Sequence, residues 1–179
     1  MSTPYPAVHQ WVVADSILAA TRRAVHQAGQ DLKESGALWL GQRTETARIT
    51  AVVLLRGVGV EQSAGCWKVR PEVFGAVTRW AKPKGLSLLA VIHTHIRGVP
   101  PRLSLADREY SVQVPGMLAV VIGESGAEAD YRRWGWYVHE NDRYICLNRN
   151  VLAARLILED DYPFDLREAD AESVRVLTP

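Results

Sequence analysis

The sequence predicts an α/β (α+β) fold, a mixed central sheet flanked by helices. Residues 86–95 form a strongly apolar stretch and have the composition of a strand buried on both faces. Ile17, Thr21, Val25, Ala28 and Leu32 recur at three- and four-residue spacings, the apolar stripe of a helix that packs on a core. Segments of both kinds share 179 residues with no internal repeat or low-complexity tract, which suits helices laid on one sheet. A chain of this length has room for one domain with a proper core.

The elements follow in order. Asp15 or Ser16 caps a helix that runs to about Leu32, and Gly36 ends the helical pattern. Residues 37–40 read as a short buried strand closed by Gly41, with a polar turn over 42–45. Residues 49–55 are rich in β-branched side chains and should pair with that strand. Residues 57–65 read as loop and 67–69 as a short strand. Pro71 suits the first turn of a helix carrying Val73, Phe74, Val77 and Trp80, which Pro83 and Gly85 stop. After the strand at 86–95, a loop over 97–103 leads to a helix starting near Ser104, then a buried strand at 116–122. Residues 131–138 and 143–147 flank Glu140-Asn141-Asp142 as a hairpin. This organisation gives a main domain over residues 1–150. Residues 151–179, acidic at Glu159-Asp160-Asp161, read as a C-terminal tail packing on the domain or at an interface.

Composition narrows the function. Lys and Arg number 21 against 20 Asp and Glu, a formal charge of +1, which gives no basic excess for nucleic acid. Cys66 and Cys146 form no CxxC pair, so a disulfide framework is not expected and a reducing cytoplasmic home is. The apolar N-terminal stretch is broken by His9, Gln10 and Asp15, unlike a signal peptide. The run at 88–92 is far short of a membrane span.

The chemistry gathers at the end of the apolar strand, in His93-Thr94-His95. Side chains at i and i+2 of a strand point the same way, roughly 6.6 Å apart at about 3.3 Å per residue. Two imidazoles at that spacing can converge on one ion with zinc–nitrogen distances of about 2.0–2.1 Å. Downstream, Ser104-Leu105-Ala106-Asp107 has the pattern of a capping box, whose rigid first turn would also fix the Asp107 carboxylate beside the loop. Two histidines and one carboxylate leave a position open for water, the arrangement of a catalytic zinc site.

Glu34-Ser35-Gly36-Ala37-Leu38-Trp39-Leu40-Gly41, followed by His93-x-His95 and Ser104-x-x-Asp107, resembles the JAMM (MPN+) zinc metallopeptidases. The order of elements matches too, over roughly residues 10–148. The resemblance implies a cytidine-deaminase-like JAB/MPN fold. It implies Glu34 as general base and acid, zinc on His93, His95 and Asp107, and Ser104 as the hydroxyl that steadies the oxyanion. It also implies hydrolysis of the bond after the C-terminus of a ubiquitin-like protein or its conjugates. The compact form is most similar to bacterial members, some of which stand beside activating- and conjugating-enzyme-like proteins in antiphage systems. The chain departs from the pattern in three places. The loop between His95 and Ser104 is one residue longer, Ile96 replaces a common proline, and Ala37 stands where many relatives carry glycine.

Other residues have blander readings. His9, His26 and His139 read as surface or half-buried, and Cys66 and Cys146 as buried small hydrophobes. Trp134 and Trp136 fit core or hairpin packing, with a peptide platform as the lesser reading; Trp39 is ambiguous. Arg97 and Arg102 flank the loop and could meet substrate carbonyls. The rival functions are a silent MPN-type scaffold or binding module and a RadC-like protein associated with DNA repair. A zinc deaminase is excluded, since neither His-x-Glu nor Pro-Cys-x-x-Cys is present.

Overall fold

The computed structural model describes residues 6–30 and 32–177. Strand β1 (Gln10–Ala14) leads into α1 (Asp15–Ala28), followed by the hairpin of β2 (Gly36–Gln42) and β3 (Thr46–Leu55). A small separate hairpin, β4 (Val60–Ser63) and β5 (Cys66–Val69), precedes α2 (Pro71–Ala81). Then come β6 (Ser87–Thr94), α3 (Leu105–Tyr110), β7 (Leu118–Ile122), β8 (Gly135–Glu140) and β9 (Arg143–Cys146). The chain closes with α4 (Arg149–Arg155), β10 (Leu156–Glu159), β11 (Asp165–Ala169) and β12 (Val174–Val176).

The main sheet runs β10-β1-β3-β2-β6-β7-β8-β9. Strand β2 is antiparallel to both β3 and β6, while β6 and β7 are parallel, so the sheet is mixed. Helices lie on both faces, the class that the sequence predicts. The alternation within β2 shows why: Ala37 and Trp39 enter the core under α1, with Ile17 and Val25, whereas Leu38 and Leu40 enter the core under α2, with Val73 and Val77. Trp39 is fully buried, and its indole N–H donates to the Thr21 hydroxyl at 2.8 Å. It is therefore a core residue, and Trp134 and Trp136 are buried with it, their rings stacked at 5.9 Å.

Several expectations shift. Helix α1 stops at Ala28 because the chain must turn at once to bring Ser35 back: its hydroxyl donates to the Val25 carbonyl at 2.6 Å. Residues 57–65 are not all loop, since 60–63 pair with 66–69. His139 is neither at the surface nor half-buried. It sits inside at 3% exposure against the edge of Tyr144, because β8 is flanked by β7 and β9. The cysteines are not buried: Cys66 is half-buried, and Cys146, on the edge strand β9, is exposed.

Beyond residue 150 the chain joins the same sheet. Strand β3 offers one edge to two partners: β1 covers Thr46 to Arg48, and β11 runs parallel along Ala51 to Leu55. Strand β10 pairs outside β1, Trp11 with Leu156. Charge pins these strands down, since Arg56 and Arg175 both reach the Glu168 carboxylate and Arg175 also meets Asp170. Among the described residues, no helix is long and apolar enough to cross a membrane.

Candidate metal centre

Strand β6 carries the site because it is held on both sides up to its last residues. Its His93 pairs with Gly36 of β2 and with Val121 of β7. The chain then leaves β2 but keeps a hold on β7, where the His95 N–H donates to the Ile122 carbonyl at 3.0 Å. The two imidazoles face one point, their Nε2 atoms 3.3 Å apart.

Thr94, between them, serves the opposite side. Its N–H donates to the Ser35 carbonyl at 2.9 Å, and its hydroxyl accepts from the Ser35 N–H at 3.0 Å. The start of β2 is thus lashed to the end of β6, which sets Glu34 beside the histidines. The β4–β5 hairpin secures Glu34 from the other direction. The Glu34 N–H donates to Ser63 at 2.8 Å, and the Gln62 amide donates to the Glu34 carbonyl at 3.1 Å.

Asp107 arrives on α3. The capping box expected from the sequence is complete: the Ser104 hydroxyl accepts from the Asp107 N–H at 3.1 Å, and Asp107 Oδ2 accepts from the Ser104 N–H at 2.7 Å. The longer loop over 96–103 is anchored at both ends. The His95 ring donates to the Pro100 carbonyl at 2.8 Å, and the Leu103 N–H donates to the Tyr137 hydroxyl at 3.2 Å. Because a carbonyl only accepts, that first bond puts a proton on His95 Nδ1, so that Nε2 of the neutral ring keeps its lone pair, the tautomer that a metal ligand needs.

Among the described residues, His93, His95 and Asp107 form a group that could hold a metal ion, with ligand atoms all within 4.8 Å of one another. Donors about 2.0–2.1 Å from a tetrahedral zinc lie about 3.3–3.4 Å apart. The imidazoles meet that spacing, and Asp107 Oδ1 and Oδ2 lie 3.5 and 3.7 Å from His93 and His95. The donor set therefore fits a dication.

Electrostatics agree with that geometry. Burial pushes the Asp107 carboxyl up, but the nearby imidazoles of His93 and His95, together with Ser104, outweigh it and hold the group far below the ordinary carboxylate range. Glu34 moves the other way: burial raises its pKa, and the charges of His95 and His93 only partly offset this. His95 is raised despite burial, which opposes its charge, because Asp107, the Pro100 carbonyl and Glu34 favour the protonated ring.

Of the residues singled out in the sequence, Glu34, His93, His95 and Asp107 are therefore neighbours. Ser104 caps the helix at the site, its side chain beside the Asp107 carboxylate. Arg97 is exposed and faces Glu124 at 3.5 Å. Two contributors went unmarked. One is Thr94, hidden as the middle residue of a motif read for its ends. The other is Trp67, whose indole stacks on His93 with ring centres 6.2 Å apart. Trp67 also presses on Gly36, where an added Cβ would overlap the indole and come 2.5 Å from the Ile92 carbonyl oxygen. Gly36→Ala should therefore cost about 1–3 kcal/mol, in the range of overpacked cores, and weaken metal binding by displacing Trp67 from His93. Thermal unfolding and metal titration of this variant check it; wild-type values for both would refute the role given to the stack.

No protein-family model matches the chain, and no curated protein matches it. Solved structures do. A protein from Desulfitobacterium hafniense matches at TM-score 0.57 and 17% identity, over 85% of this chain and 94% of that one. A protein from Salinibacter ruber matches at TM-score 0.56 and 20% identity, over 86% and 94% of the two chains. Both share the fold. A JAB1/MPN domain protein from Archaeoglobus fulgidus is similar at TM-score 0.43 and 15% identity, over 83% of this chain and 98% of that one.

Proposed function

We propose that this protein is a zinc-dependent metallopeptidase that hydrolyses the amide or isopeptide bond after the C-terminus of a ubiquitin-like protein. The observation that carries the reading is the convergence of His93, His95 and Asp107 beside a buried carboxylate, Glu34, of raised pKa. A scaffold would need no such set.

His93, His95 and Asp107 would hold the ion. Bound there, zinc supplies Lewis acidity, which polarises a carbonyl and makes water a stronger acid. Glu34 performs the proton transfers: raised in pKa and held by the hairpin, it takes a proton from the attacking water and returns it to the leaving amine. The Ser104 hydroxyl, whose oxygen accepts from the Asp107 N–H, would turn its proton from the Asp107 carboxylate to the oxyanion that develops on the substrate carbonyl. Trp67 and the Pro100 carbonyl keep the imidazoles from rotating away.

The choice of substrate rests on the sequence resemblance. The tail of a ubiquitin-like protein is extended and suits docking by strand addition beside the active-site strand. Activating- and conjugating-enzyme-like proteins would then be functional neighbours, in the cytoplasm and in an antiphage setting. Incubation with ubiquitin-like fusions or conjugates tests the reading. Cleavage is expected from the zinc-loaded wild type, and none from the chelator-treated protein or from Glu34→Gln. Equal cleavage in all three would refute the mechanism.

A further inference from the structure

The face of the sheet under α2 is not covered evenly. One core gathers α2 over β2, β3 and β6, and a second, smaller core gathers Leu103, Ala119, Val121, Tyr137 and Tyr144 over β7 to β9. At the edge of the first core, the seam between α2 and the segment after α3 is a cavity of about 500 Å³, within the usual size of a small-molecule site. Leu40 and Leu88 form its floor, Val77 of α2 one wall, and Val112 and Met117, from the segment after α3, the other.

Its chemistry selects an occupant. The lining is mostly apolar, and its hydroxyls are only those of Thr78 and Ser87. Thr78 donates its own to the Phe74 carbonyl at 2.8 Å. A peptide buried there would leave backbone amides without partners, a cost that a hydrocarbon chain does not incur. The charged residues of the lining are both cationic, Lys82 and Arg43, with no carboxylate among the lining residues. Lys82, in the turn that ends α2, both lines the cavity and is exposed to solvent.

We propose that this seam is a binding site for a medium-chain aliphatic carboxylate, the hydrocarbon chain lying over Leu40 and Leu88 and the anionic head meeting Lys82. The site lies apart from the metal centre and is independent of the peptidase reading.

Decanoate is the probe, titrated by calorimetry into the whole chain below its micelle-forming concentration, with methyl NMR shifts followed at Val112, Val114 and Met117. Saturable one-site binding with shifts at those methyls is expected. Decanol should bind about two- to fivefold more weakly for want of the charge, and decanoate should bind Lys82→Glu more weakly by at least as much. Val114→Trp, which fills the seam from its loop wall, should abolish binding. Should that variant fold poorly, Lys82→Glu, a change at an exposed turn, carries the test. No saturable binding to wild type overturns the proposal. So does equal binding of decanoate to wild type and Lys82→Glu, or preference of the same methyls for an acidic apolar peptide over decanoate.

Discussion

Replacing His95 with alanine should strip the protein of its zinc. The site has three protein donors, so one substitution removes a third of the coordination and leaves the 3.3 Å pair of nitrogens as a single imidazole. Outer partners of metal ligands alone are worth about 10–100-fold in affinity, so loss of a ligand itself should exceed that. Stability gives a second readout. A metal that binds only the folded chain stabilises it by about 2.7 kcal/mol at a hundredfold excess over its dissociation constant. The wild type should therefore melt higher with zinc than after chelation, and His95→Ala should melt at the same temperature in both. Metal content after dialysis and paired melting curves measure this. Full zinc occupancy in the variant would show that the ligand set is wrong.

A chain ending at residue 150 should fail to fold cooperatively. The missing residues are those that close β3: without β11, the backbone groups of Ala51 to Leu55 lose the pairing on that edge. Leu156 and Ala169 are buried, and the Tyr162 hydroxyl donates to the Ile49 carbonyl at 2.8 Å, so core and hydrogen bonds are lost together. Domains of this kind are stable by only about 5–15 kcal/mol, and an exposed edge beside an open core also invites aggregation. Circular dichroism and gel filtration of the truncated chain give the answer. A sharp transition at the wild-type midpoint would show that residues 151–179 are a dispensable tail.

These two variants also mark what the sequence reveals and what it hides. The histidines and Asp107 are legible because their spacing repeats inside local elements: a strand puts i and i+2 on one side, and a capping box fixes a carboxylate within one turn. The central strands are legible because burial on both faces makes them continuously apolar. Strands β1 and β10 are not, for each is short and draws its partner from the far end of the chain, as Trp11 does from Leu156. Strand β11 reads as acidic and mixed because its Glu168 is matched by Arg56, far off in the sequence, as well as by Arg175 of the next strand. Glu34 shows the same limit. Only its distance from Gly41 marks it locally, and the backbone that carries it is held by Thr94 and Ser63, both distant in sequence.

The capping box has a kinetic consequence. Helix α3 spans six residues, too few to persist on helical propensity, and one carboxylate both closes its first turn and faces the imidazoles. Fraying of that turn and withdrawal of the third donor are thus a single event. The residence time of an ion would be set by how often the α3 amides open to solvent, and a bound ion would in turn slow their hydrogen exchange. The lifetime of the centre is in this sense the lifetime of one helical turn.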